Sequence, residues 1–184
     1  MNKLSIRSAF AVLLTALSVS VVADAKFVRK GESNVTFRAT GPAGMKFDGR
    51  THELSVSEDG GSVVVAVPLS GLSTGIALRD KHMKEKYLEV PKYPKAELRV
   101  ARSSLKIPAD GAETTGDSSG RVDLHGKNKV LPFHYVAKRE GDLVKVVGSL
   151  RLNMKEFDVE VPSYLGVTVK PEVDITVRFE TKDE

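Results

Sequence analysis

The chain has 184 residues, no cysteine and no tryptophan, with 28 basic and 24 acidic residues and a net charge of +4 at pH 7. The absence of cysteine excludes disulfides, thiolate metal sites and an acylated lipoprotein cysteine. Because the charges are spread along the chain without a basic stripe and interleaved aromatics, the composition argues against nucleic-acid binding.

The first 25 residues have the pattern of a cleavable signal peptide. Lys3 and Arg7 form a positive n-region, the run that follows is mostly apolar, and Ala23-Asp24-Ala25 is an A-x-A cleavage site. A transmembrane anchor is the alternative, but it needs about 20 apolar residues, and this run is shorter. We therefore predict a signal peptide over residues 1–25 and an exported domain, periplasmic or secreted, over residues 26–184.

Alternating apolar and polar residues predict β-strands throughout the exported domain. In the last strand, Val173, Ile175 and Val177 face one side while charged and hydroxyl residues face the other. Turn-forming sequences rich in glycine separate the segments. Eight strands are predicted, over residues 33–40, 46–57, 62–68, 95–105, 116–124, 129–139, 142–153 and 169–180.

These strands are expected to form one closed sheet. Most links between them are short enough for hairpins, which predicts antiparallel neighbours. The last strand must protect its edge, and pairing it with the first strand would close an eight-stranded barrel. An outer-membrane barrel would alternate in the same way, but aromatics at 6% are too few for two interfacial girdles. We therefore predict an all-β fold, an eight-stranded antiparallel barrel.

One segment, residues 78–88, interrupts the strand pattern. Here Arg79, Met83 and Tyr87 recur at four-residue spacing, as on one face of a helix. This predicts one short helix between the third and fourth strands. Arg79 and Asp80 are expected to hold the helix in place, with contact to a ligand's polar head as the alternative. Met83 and Tyr87 would line the interior or pack on the barrel wall.

Motifs for catalysis and metal binding are missing from the sequence. There is no G-x-S-x-G elbow, cysteine nucleophile, P-loop or dinucleotide-binding turn, so no enzyme is predicted. The histidines show no H-x-H or H-E-x-x-H spacing, so we predict neither a metal site nor a cofactor. They are His52, His82, His125 and His134. His125 and Gly126 instead indicate a tight turn with Gly126 at positive φ.

Two long motifs in the chain resemble those of a known family. The chain resembles the central motif of the YceI-like family of exported lipocalin-like proteins at Thr74-Gly75-Ile76, Arg79-Asp80-x-His82-Met83, Tyr87-Leu88 and Tyr93-Pro94. It resembles the second motif, a strand that ends in Leu-His-Gly, at Gly120–Lys127, and a loop of one branch at Pro162–Val169. The resemblance implies a lipocalin-like barrel that binds an apolar chain, such as a polyisoprenoid or a related amphiphile.

One departure from the family pattern concerns the first strand. Members of the best-known branch usually carry a histidine near this strand, whereas Glu32–Phe37 contains none. If that histidine touches the head of a ligand in other members, its absence leaves the head-group preference of this chain open.

Two functions from different classes follow from these observations. In the first, a periplasmic carrier encloses the apolar chain of an isoprenoid or other long-chain lipid, where burial of about ten methylenes contributes ~8 kcal/mol before ordering and association are subtracted. In the second, large side chains such as Phe37, Phe133 and Tyr135 fill the barrel, which then acts as an interaction or stress-response module without a lipid.

The carrier hypothesis assigns candidate ligand-binding residues. The wall residues are Phe37, Phe47, Phe133, Tyr135, Leu150 and Leu152. The mouth residues are Ile76, Met83, Tyr164 and Leu165, with Tyr87 on the helix face that carries Met83. No catalytic residue is assigned. The mature chain is not expected to span a membrane, and oligomer formation stays open.

Overall fold

The computed structural model describes residues 27–164 and 167–183, so the predicted signal peptide lies outside the described residues. The strands are β1 (Phe27–Thr40), β2 (Lys46–Thr51), β3 (Ser55–Asp59), β4 (Ser62–Pro68), β5 (Lys95–Ala101), β6 (Glu113–Leu124), β7 (Lys127–Glu140), β8 (Leu143–Asn153), β9 (Ser163–Tyr164), β10 (Val167–Thr168) and β11 (Glu172–Asp183). The helical segments are α1 (Ala77–His82), a π-helical turn (Met83–Tyr87) and the 3₁₀ turns Pro42–Gly44, Leu69–Gly71, Arg102–Ser104 and Met154–Phe157.

Nine of these strands form one antiparallel sheet in the order β2-β1-β11-β8-β7-β6-β5-β4-β3, and β9 and β10 form a separate small hairpin. The first and last long strands pair from Phe27 opposite Asp183 to Ala39 opposite Val173, with one irregularity between Lys30 and Ser33. The predicted all-β fold, the pairing of first and last strands and the short helix between strands are therefore confirmed. The predicted count of eight strands and the closed sheet are corrected: the sheet has nine strands and, within the described residues, keeps β2 and β3 as its two edges.

The predicted second strand over residues 46–57 was wrong, because the chain breaks there into β2 and β3. The buried residues of β2, Gly49 and Thr51, are odd-numbered, whereas Leu54 and Val56, which follow, are even-numbered. A shift of one residue turns a strand's inward face outward, so one ladder cannot continue across this point. β2 and β3 therefore lie at the two ends of the strand order, and β3 contacts β1 as the sheet curls round.

Cross-strand register stacks the inward side chains in rows across the curled sheet. One row consists of Tyr135, Gly148, Val177 and Val35. The next row consists of Phe133, Leu150, Ile175 and Phe37. A third, closer to α1, consists of Leu152, Val173, Ala39 and Phe47. The alternation seen in the sequence thus places these residues on one continuous inner surface.

The hairpin between β6 and β7 turns at His125 and Gly126, which have φ values of 52° and 74°. Positive φ at both central residues is typical of a type I′ turn, so the predicted tight turn is confirmed. The His125 ring packs on Tyr93, with centroids 4.5 Å apart, and its Nδ1 donates to the carbonyl oxygen of Phe157 at 3.2 Å. A Cβ at Gly126 would lie 2.8 Å from the Tyr93 ring, so a glycine is needed there. The turn is therefore fixed against the segment that follows α1.

No helix within residues 27–164 and 167–183 is both long enough and apolar enough to cross a bilayer.

Candidate ligand cavity

The curled sheet encloses a cavity of about 900 Å³, lined by side chains from all nine strands of the sheet. Its walls are almost entirely aliphatic and aromatic. Small-molecule pockets usually measure about 300–1,000 Å³, so this cavity lies near the upper end of that range. An interior of this kind offers an apolar ligand much surface and few hydrogen-bonding partners.

Nine of the eleven predicted site residues line this single cavity. They are Phe37, Phe47, Ile76, Met83, Tyr87, Phe133, Tyr135, Leu150 and Leu152. Tyr164 belongs to β9, but its side chain and the whole of Leu165 lie outside the described residues. The structure thus brings the nine together, and their contact with a ligand stays a prediction.

Glycines on the inner surface keep the large aromatic side chains from blocking the cavity. Gly49 lies opposite Phe37, and a Cβ at Gly49 would lie 2.3 Å from the Phe37 ring. Gly116 lies opposite Tyr135, and a Cβ at Gly116 would lie 2.7 Å from that ring. Each ring therefore lies over the glycine of the neighbouring strand. This arrangement leaves the interior open, in contrast to the filled barrel considered above.

Gly49→Val is expected to push the Phe37 ring into the cavity, because the ring and the new side chain cannot share the same space. Overpacking of this kind costs about 1–3 kcal/mol of stability, and the narrowed cavity should bind less lipid. Urea denaturation and a lipid titration would measure the two effects. Gly148→Ala is the matched control, because its Cβ would lie 3.1 Å from Val177 and needs only a small shift. Equal lipid binding by wild type and Gly49→Val would contradict this role of Gly49.

The end of the cavity remote from α1 is covered by the link between β5 and β6. Leu105, Lys106 and Ile107 of this link line the cavity. The hydroxyl oxygen of the buried Tyr135 accepts a hydrogen bond from the Lys106 backbone N–H at 2.7 Å. Since this bond holds the link over the barrel and uses the hydroxyl group, Tyr135 presents mainly its ring to the interior.

The opposite end, which we call the mouth, lies where α1 and the link between β1 and β2 meet. Met45, Ile76 and Leu78 line the cavity here although their side chains are largely exposed, at 54%, 53% and 64%. The guanidinium group of Arg79 and the imidazole ring of His82 lie at the same opening. A ligand could therefore enter at this end with its polar part toward solvent.

Hydrogen bonds fix α1 at the mouth. The Asp80 carboxylate accepts from the Ser73 hydroxyl at 2.7 Å, from the Thr74 N–H at 2.7 Å, and from the Thr74 hydroxyl. Arg79 donates to the hydroxyl and carbonyl oxygens of Thr74, both at 2.8 Å, and lies 5.8 Å from the centre of the Phe47 ring. Both residues therefore hold the helix, as predicted, and Arg79 also faces the cavity.

The charge state of Asp80 should control how firmly α1 is held. Burial alone would raise the pKa of Asp80, but hydrogen bonds from Thr74 and Ser73, with the nearby charge of Lys84, lower it below its ordinary value. Because the pKa of Asp80 is lowered in the folded protein, the stabilisation of α1 by the ionised carboxylate is complete above the ordinary value of about 4. It is lost as the pH falls through the lowered value.

We expect amide hydrogen exchange in residues 77–88 to accelerate, relative to the β-strands, as the pH is lowered below about 4. Asp80→Asn should show the faster relative exchange already at neutral pH, because the carboxylate is missing at every pH. Glu85→Gln, an exposed acid in the same segment, is the control and should leave the profile unchanged. An Asp80→Asn profile identical to that of wild type would contradict the assignment.

Sequence reasoning missed several lining residues. It chose aromatic and leucine side chains, whereas valines of β3 and β4 cover another part of the wall. These are Val56, Val63, Val65 and Val67. The alternation in β4 would have identified its three valines. Leu78 and Met45 carried no periodic signal, because both lie in links between strands.

Comparison with known proteins is consistent with the fold. A polyisoprenoid binding domain from Saccharophagus degradans, described as implicated in plant cell wall breakdown, superposes with a TM-score of 0.72 at 17% identity, over 87% of this chain and 99% of that one. BcnA from Burkholderia cenocepacia superposes with a TM-score of 0.63 at 16% identity, over 80% and 95% of the two chains. Comparison with curated proteins gives no match. The sequence profile of the YceI-like domain matches residues 27–181, so the chain belongs to the YceI-like family.

Proposed function

We propose that this protein is an exported, periplasmic carrier that encloses the apolar chain of an amphiphilic lipid, such as a polyisoprenoid, in its barrel. The observation that carries the proposal is the open, apolar cavity of about 900 Å³ inside the curled sheet. The description of the related Saccharophagus degradans domain as polyisoprenoid binding supports the same ligand class.

The chemistry of the wall favours a hydrocarbon chain over a polar ligand. A polar group moved from water into this interior would find few partners and would lose about 1–3 kcal/mol for each hydrogen bond left unmade. A hydrocarbon makes no hydrogen bonds with water that it could lose, and its binding free energy improves by ~0.8 kcal/mol for each buried methylene. The volume equals that of roughly 30 water molecules, which leaves room for a chain of a few tens of carbon atoms.

The polar groups at the mouth provide a place for a head group. Thr74, Arg79 and His82 border the opening, whereas the middle of the barrel is lined by the apolar rows described above. The lipid would therefore lie with its chain along the barrel and its head near α1. The planar guanidinium of Arg79 is a cation with several N–H donors, so it favours an anionic or strongly dipolar head.

The experiment is native mass spectrometry of the purified mature protein, followed by solvent extraction and thermal unfolding with added isoprenoids of increasing length. We expect a bound lipid in the extract, or a melting temperature that rises with chain length until the cavity is full, because a ligand at 100 times its Kd stabilises by about 2.7 kcal/mol. If nothing is extracted and no isoprenoid changes the melting temperature, the carrier function should be abandoned.

The location needs a separate test. Osmotic-shock fractionation of the native host should release the protein with Lys26 as its N-terminal residue, since the predicted cleavage follows Ala25. Recovery of the uncleaved chain in the cytoplasmic fraction would contradict an exported carrier.

A further inference from the structure

The exposed apolar side chains at the mouth form one patch. Met45 comes from the link between β1 and β2, and Ile76 and Leu78 come from the link between β4 and β5. In an antiparallel sheet of this order both links lie at the same end, and all three side chains border the same opening. Such grouped exposure differs from single surface hydrophobics, which need no explanation, and marks an interaction site.

Two lysines flank this patch in the sequence, and the charge of one of them, Lys46, also acts on Asp48 and Asp174. Lys46 follows Met45 directly, and Lys81 lies three residues after Leu78, on the neighbouring helical position. The Lys46 ammonium donates to the Thr40 hydroxyl. Among the described residues, no carboxylate forms an ion pair with Lys81 or Lys84.

The acidic residues of the helical segment 77–87 offset little of the positive charge of its lysines. The charge of Lys84 acts on Asp80, whose carboxylate accepts hydrogen bonds from Ser73 and Thr74. Glu85 is the other acid of residues 77–87, which hold Arg79, Lys81, Lys84 and Lys86 as their cations. Lys86 pairs with Glu160, so Lys81 and Lys84 stay available to an external anion.

We propose that the mouth docks on the surface of an anionic lipid bilayer. Ile76, Leu78 and Met45 would enter the boundary between head groups and acyl chains, and Lys46, Lys81 and Lys84 would face the lipid phosphates, the arrangement typical of interfacial anchors. This inference rests on the proposed function, since docking places the opening against the membrane and lets a lipid enter without crossing water.

A bilayer fits this surface better than a protein partner. The three apolar side chains border the mouth of the cavity. A rigid protein partner placed over this opening would therefore have few atoms to pack against. Acyl chains are fluid and fill the opening. The free lysines also match the negative surface potential of a membrane that contains anionic lipids.

The test is co-sedimentation of the lipid-free mature protein with vesicles. Vesicles containing phosphatidylglycerol should bind wild type, vesicles of phosphatidylcholine alone should bind it much less, and added salt should weaken binding because the Debye length shrinks. The double variant I76D/L78D should lose about tenfold or more in partitioning. The matched control is V130D, since Val130 is 70% exposed on β7 and does not line the cavity. It should bind like wild type.

A second variant separates docking from lipid binding. K46E/K81E changes residues that do not line the cavity, so it should take up a soluble isoprenoid probe as wild type does but lose vesicle binding. If wild type takes up the probe but ignores vesicles, the docking inference is wrong and the proposed function stands. If wild type binds vesicles but never the probe, the proposed function is wrong and docking stands.

Three further results would overturn the docking surface. Unchanged vesicle binding by K46E/K81E or by I76D/L78D would place the contact elsewhere. Equal binding to phosphatidylcholine vesicles would remove the role of the lysines. A dimer in solution that I76D/L78D converts to a monomer would show that a second copy of the chain covers the mouth.

Discussion

Met83→Asp is expected to reduce lipid affinity by about 100-fold or more, equivalent to about 2.7 kcal/mol. Met83 opens the π-helical turn after α1, is half-buried and lines the cavity. A carboxylate at this position would be hydrated in the empty protein, and an entering hydrocarbon would strip that water without replacing its hydrogen bonds. Titration with a fluorescent isoprenoid would measure the loss, and thermal unfolding would show that the barrel is intact.

Two substitutions serve as controls for Met83→Asp. Arg79→Lys keeps a cation near Phe47 but loses the paired hydrogen bonds to Thr74, so it should weaken binding only a few-fold. Met83→Leu conserves volume and apolar character and should bind nearly as wild type does. Equal losses in Met83→Asp and Arg79→Lys, with the fold intact, would contradict the division between an apolar contact and a residue that holds the helix.

The β-structure could be predicted because its cause is local. Period-two alternation in β7, β8 and β11 determines which side chains face inward, and the tertiary structure follows that pattern. The break between β2 and β3 was missed because residues 46–57 were interpreted as one continuous strand. The alternation in fact resumes after the break with opposite parity. Only the pairing of the two strands at different ends of the sheet makes that change visible.

The open interior could not be predicted from the same pattern. A list of inward aromatics suggests a full barrel, yet the space that each ring occupies depends on the residue opposite to it. Gly49 faces Phe37 and Gly116 faces Tyr135 because of the register of the β1–β2 and β6–β7 pairs, and that register depends on the backbone geometry of each link. The register between strands therefore sets the volume of the cavity, and the amino-acid composition carries no information on that register.

The two motifs that resemble the YceI-like family contact each other in three dimensions. Tyr93, at the end of the first motif, packs on His125 of the second, and Gly126 leaves room for the Tyr93 ring. At the start of the first motif, Asp80 and Arg79 bind Thr74. The motifs therefore hold the helical segment at both ends. Residues in them need not contact the ligand to matter for binding, because the helical segment forms one side of the mouth.

Phe157→Ala is expected to destabilise the lipid-free protein by about 4 kcal/mol, the typical loss for a large aromatic removed from a packed core. Phe157 is fully buried, at 0% exposure, in a cluster below the helical segment that also contains Leu69, Leu124 and Val159. Its removal would leave a closed void that these neighbours can fill only in part. Urea denaturation, compared with wild type at the same pH, would measure the change.

Leu150→Ala is the matched comparison, because Leu150 is half-buried and faces the open cavity. Its side chain has packing partners on the wall but none across the opening, so truncation enlarges an existing space and should cost less than about 2 kcal/mol. Lipid affinity should fall in this variant, whereas Phe157→Ala should alter affinity only through stability. A loss for Leu150→Ala as large as that for Phe157→Ala would mean that the wall residues pack against each other in solution, and the open interior on which lipid carriage depends would not exist.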